Sequence, residues 1–164
     1  MRIFLVGFMG VGKSAIGREL AQRLGYRYLD TDKIIETECG KPITEIFKDE
    51  GEAWFRTKET DILKSLGKWQ NLIISTGGGM VATPGNWDII KELGISAFLD
   101  ADLEVIRERV FRKNTRPLLQ TDNPEQTLLD LYQVRRPIYE QADIQVQTKG
   151  MRKQQIVTAI IRAI

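Results

Sequence analysis

The stretch FLVGFMGVGKSAIG, residues 4–17, crowds four glycines around a single Lys-Ser pair. Gly7, Gly12, Lys13 and Ser14 occupy the fixed places of G-x-x-x-x-G-K-[ST]. That pattern has a physical reading. Glycines let backbone N–H groups curl around phosphate oxygens, and a helix N-terminus adds a favourable dipole. A lysine here can reach the terminal phosphates, and the serine hydroxyl can ligate Mg²⁺. The motif needs a strand before it and a helix after it. Ile3–Val6 reads as a short buried strand, and Ile16, Leu20 and Leu24 recur at helical spacing.

Three further constellations could complete the chemistry. Asp30 and Asp32, in the run LDTD, put two carboxylates near one strand end. One could help hold Mg²⁺ through water, and the other could bind or deprotonate a substrate hydroxyl. The competing reading is helix capping, by Thr31 or Asp32, of a helix starting near Lys33. Gly77, Gly78 and Gly79 follow another apolar run and cost backbone entropy, which a ligand lying against bare N–H groups would justify. Arginines form the last group: Arg56 beside an apolar helical stripe, Arg116 in a Pro-bounded loop, and Arg135 and Arg136 before Pro137. Arginine suits bidentate grips on carboxylate and phosphate. Arg107, Arg109 and Arg112 read as surface residues.

These residues need elements to position them. Apolar runs predict strands at 2–7, 26–30, 71–76, 95–100 and 143–147. Helical spacing predicts helices at 13–24, 32–39, 43–49, 52–66, 84–93, 102–112, 124–140 and 151–163. This alternation predicts an α/β fold, a five-stranded parallel sheet between helical layers. Residues 4–6 and 72–75 read as central, and 143–147 as an edge. Ligands of such sheets sit beyond the strand carboxyl ends, which is where the loops above fall. The basic segment 111–124, broken by Pro117 and Pro124, reads as a lid.

Composition narrows the chemistry. A chain of 164 residues is expected to form one domain, 1–164. The net charge of +2 implies no nucleic-acid footprint. There is no histidine, so a general base must be a carboxylate, a lysine or the substrate. The lone Cys39 excludes an internal disulfide and reads as a helix-end residue. The apolar N-terminus is followed at once by Lys13 and shows no cleavage site, so it is not read as a signal peptide, and no segment approaches membrane-spanning length. A cytoplasmic monomer with no membrane partner is the expectation.

Taken in order, GFMGVGKS, LDTD, ITEIF…GE..FR, STGGGMV, NTRPLL and RRPIY resemble the shikimate kinase family, over essentially the whole chain. The resemblance implies a three-layer α/β/α P-loop NTPase fold and transfer of the γ-phosphoryl of ATP to the 3-hydroxyl of shikimate, a step toward chorismate and the aromatic amino acids. It implies that Gly10, Val11, Gly12, Lys13, Ser14 and Ala15 wrap the ATP phosphates. Ser14 and Asp30 would hold Mg²⁺, and Asp32 would act as base. Arg56 and Arg135, with Gly77, Gly78 and Gly79, would grip shikimate in a region of about 32–60 and beyond, with Phe47 and Phe55 walling the ring. Arg116 would close with the lid, and the residues around Arg152 would sit near adenine. A gluconate kinase or nucleoside monophosphate kinase would need different acceptor-side residues. A GTPase would need D-x-x-G and N-K-x-D, which the chain lacks.

Overall fold

Five strands pair side by side, all parallel, in the order β2-β3-β1-β4-β5. They are β1 (Arg2–Val6), β2 (Arg27–Asp30), β3 (Leu72–Ser75), β4 (Ile95–Asp100) and β5 (Ile144–Gln147). The structure is a computed structural model that describes residues 1–113 and 117–164. The sheet and its edges match the sequence expectation. Ile3, Phe4, Leu5 and Val6 on β1 are fully buried, as a strand covered on both faces must be. On the β5 edge, burial alternates residue by residue.

The helices are α1 (Lys13–Leu24), α2 (Thr31–Cys39), α3 (Ile43–Ser65), α4 (Asn86–Leu93), α5 (Leu103–Lys113), α6 (Pro124–Tyr139) and α7 (Lys153–Ala163). Parallel crossovers are right-handed. The crossover through α1 runs toward the β2 edge, and those through α3, α4 and α5–α6 run the opposite way. They therefore cover opposite faces, and α7 returns to pack on α1. Sequence spacing predicts two helices over 43–49 and 52–66. α3 is these two helices, meeting at a kink where the backbone of Gly51 is non-helical (φ 82°, ψ 170°), as expected.

Two apolar clusters result. The large one joins the sheet to α1, α4 and α7. A smaller one packs Ile35 of α2 against Ile46, Phe55 and Ile62 of α3. This satellite core fixes the helix pair that carries Asp32 and Arg56.

One expectation is corrected. Neither Thr31 nor Asp32 caps α2. The cap is Asp30, whose Oδ1 accepts from the backbone N–H of Asp32 (3.2 Å) and Lys33 (3.4 Å). A carboxylate at the strand end reaches these N–H groups because β2 runs straight into α2.

Candidate active site

The loop after β1 turns into α1 at Gly12, whose φ of 101° lies in the left-handed region where a side chain is strained. No side chain among the described residues caps this helix, and its first turn carries no acidic residue. With no acidic side chain there, the helix dipole favours negative charge at this end. The Lys13 ammonium folds back over the loop, donating to the carbonyls of Gly7 (2.7 Å) and Phe8 (2.9 Å).

Beside it, the Ser14 hydroxyl donates to Asp30 Oδ2 at 2.8 Å, and the Tyr28 hydroxyl donates to the same oxygen at 3.1 Å. Burial pushes the Tyr28 phenol up from its ordinary value, so it stays a donor. The donor set is a hydroxyl and a carboxylate. No cluster of three or more His, Cys, Asp or Glu side chains occurs among the described residues. So sparse an oxygen set suits Mg²⁺, which keeps several waters and leans on substrate phosphates.

Two cavities open above the sheet. The first, about 860 Å³, is lined by Gly10–Ala15, Asp30, Asp32, Thr76, Asp102, Arg109 and the segment 148–151. The second, about 550 Å³, is lined by Asp32, Phe47, Phe55, Arg56, Glu59, Gly77–Gly79 and Arg135. Ser14, Asp30, Asp32 and Gly78 line both, so the cavities meet at the end of the phosphate loop.

The second cavity takes its arginines from α3 and α6. Arg56 sits over the Phe55 ring (5.6 Å), which itself packs on Phe47 (4.6 Å between centroids). Its guanidinium donates to Glu59 Oε2 (2.7 Å) and to Glu52 Oε1 (3.0 Å). A Cβ at Gly79 would lie only 2.5 Å from Arg56 Nη2, so this glycine makes room for the guanidinium. Arg135 is 6% exposed on α6, next to Tyr139, whose hydroxyl donates to the Gly78 carbonyl. Arg136 turns away, holding Asp100 with both Nη atoms at 2.7 Å.

Glu59 is a functional candidate that the sequence reading missed. It is fully buried, and its Oε1 has no hydrogen-bond partner among the described residues. Burial raises its carboxyl from 4.5 to about 7, against the pull of Arg56. A Cβ at Gly77 would meet Glu59 Oε1 at 2.4 Å and Asp32 Oδ1 at 2.8 Å, so two carboxylates flank that glycine. The R-x-x-E spacing on one helix was the available signal. Arg109 and Arg112 are exposed, as expected, but Arg109 also donates to the Gly10 and Val11 carbonyls, and both line the first cavity. Arg107 is a surface residue paired with Glu125, as expected. Arg152 is exposed at the start of α7, and its neighbours Met151 and Lys153 form the cavity wall. Arg116 lies outside the described residues.

A family model described as shikimate kinase matches residues 9–164. The chain belongs to the shikimate kinase family. The shikimate kinase of Actinobacillus pleuropneumoniae is 44% identical over 163 residues, covering 99% of this chain and 94% of the relative. That of Ruegeria pomeroyi is also 44% identical, covering 99% of this chain and 84% of the relative. Among solved structures, shikimate kinase from Acinetobacter baumannii in complex with shikimate superposes with a TM-score of 0.93 at 40% identity, covering 98% of this chain and 90% of that one. A gluconokinase from Sinorhizobium meliloti, 19% identical with a TM-score of 0.61, shares the fold alone. Family membership makes the chain an ATP-dependent kinase of shikimate.

Proposed function

We propose that the two cavities divide the family's reaction between them, ATP in the larger and shikimate in the smaller, with the γ-phosphoryl passing to the 3-hydroxyl where they meet. The observation that carries this reading is that Asp32 lines both cavities. Phosphoryl transfer asks for positioning and charge neutralisation more than covalent help from the protein. Asp32 accepts the proton of the 3-hydroxyl while that oxygen attacks phosphorus, and ADP departs. With no histidine in the chain, a carboxylate is the fitting base.

The backbone of Gly10–Ala15 cradles the phosphates, and Lys13 follows the charge that develops on the transferred group. Ser14 and Asp30 would hold Mg²⁺, which would supply charge neutralisation when bound. Arg56 and Arg135 grip the acceptor carboxylate, Phe47 and Phe55 wall its ring, and Gly77–Gly79 lie against it. Arg116 closes over ATP, and the segment around Arg152 borders the base. No helix among the described residues is long and apolar enough to cross a membrane. Large exposed apolar side chains among them are few, namely Met1, Trp54, Trp69, Val134 and Ile164, which suits a monomer.

The test is ADP release from MgATP with shikimate, gluconate, quinate or AMP as acceptor. Stimulation by shikimate alone is expected. Equal release with every compound, or with none, would overturn the acceptor assignment.

A further inference from the structure

Asp100 ends β4 at 4% exposure and lines neither cavity, yet every group it binds leads to one of them. Its Oδ1 accepts from Arg136 Nη1 and its Oδ2 from Arg136 Nη2, each at 2.7 Å. Oδ2 also accepts from Gln147 Nε2 at 2.6 Å. Its carbonyl oxygen accepts from both the backbone N–H and the hydroxyl of Thr148, each at 2.8 Å. Thr148 opens the 148–151 wall of the larger cavity, and Ala101 and Asp102, next after Asp100, line it too.

Burying a carboxylate carries a desolvation cost that its partner must offset, so such a pair is weak grounds for a stabilising role. A fork-to-carboxylate contact fixes geometry as well as energy. On a helix, adjacent side chains project about 100° apart. With Arg136 locked to the end of β4, Arg135 is turned toward Glu59, Tyr139 and the smaller cavity. The turn needs outside support, because Pro137 lies inside α6 and supplies no N–H to it. Tyr132 accepts from Arg136 Nη1 at 2.6 Å, and Glu140 from its Nε at 3.0 Å, so the guanidinium is held on every side.

We propose that Asp100 is a positioning residue for both substrates, orienting the acceptor-binding Arg135 through Arg136 and the nucleotide-side segment 148–151 through Gln147. The proposal rests on the assignment of the two cavities given above.

The test uses the full chain and titrates shikimate and MgADP separately by calorimetry, with KM for each substrate and the melting temperature alongside. Arg136→Lys keeps the charge and loses the fork. It is expected to weaken shikimate roughly tenfold and leave MgADP unchanged, a cost in the range that small misplacements of a binding group produce. Gln147→Leu, at an exposed position, is expected to weaken MgADP and spare shikimate. Asp100→Asn is expected to weaken both. If Asp100→Asn does not fold, the opposite selectivity of the other two variants decides. A lowered melting temperature with all affinities within about twofold of wild type would mark a purely structural pair and overturn the proposal. A wild-type chain that binds MgADP but not shikimate would overturn the acceptor assignment and the proposal with it. Normal wild-type binding with unselective variants would overturn the proposal alone.

Discussion

Replacing Glu59 by Gln should change how stability depends on pH. The carboxyl is fully buried, and it is pushed from 4.5 up to about 7. The folded chain therefore holds a proton that the unfolded chain has already released between those values. Stability from this group is fully present below pH 4.5 and is lost as pH rises through about 7. The difference corresponds to about 3 kcal/mol. The variant has no such proton but keeps the size of the side chain and an acceptor for Arg56. Asp32, Arg56 and Arg135 surround the site in both proteins, so subtracting the two profiles removes their own contributions. The assay is urea unfolding of ligand-free wild type and variant at about pH 5 and about pH 8. Wild type should lose most of that 3 kcal/mol, roughly, relative to the variant on going to the higher pH. Parallel profiles, within about 0.5 kcal/mol, would refute the reasoning.

Other outcomes follow from the same geometry. Lys13→Met should lower turnover by roughly a thousandfold or more while shikimate still binds, because Lys13 serves the phosphoryl group and its loop and lines only the larger cavity; a direct shikimate titration beside the rate measurement checks this. Asp32→Asn should cost about a hundredfold to ten-thousandfold in phosphoryl transfer and leave ATP binding intact; near-normal turnover would remove Asp32 from the role of base. Gly79→Ala puts a methyl 2.5 Å from Arg56 Nη2 and should raise the KM for shikimate roughly tenfold with the KM for ATP unchanged. Equal rises in both constants would show that the glycine serves the fold rather than the guanidinium.

The sequence carried most of the architecture because its signals are local. The apolar run of β1, the phosphate-loop glycines and the period of α7 each reflect neighbours a few residues apart, and each lies where the spacing predicted. Gly51 was legible in the same way, as the break between the helices predicted at 43–49 and 52–66, and its backbone is non-helical there. The misses depend on contacts between distant segments. Arg109 is exposed, as read, but only the packing of α5 beside the phosphate loop brings its guanidinium to the carbonyls of Gly10 and Val11. Glu59 is one charge among many on its helix until the fold buries it beside Arg56 and Gly77. The choice between Arg135 and Arg136 was likewise invisible locally. Arg136 is held by Asp100, 36 residues away in the chain and at the end of another strand, while Arg135 lines the smaller cavity.

The most direct test of the account is the identity of the product. The chain is incubated with MgATP and shikimate, and phosphorus and proton NMR locate the new ester. The account predicts one phosphate monoester on the 3-hydroxyl for each ADP formed, in wild type and, more slowly, in Asp32→Asn. Release of inorganic phosphate without an ester, or an ester on another hydroxyl, would contradict it.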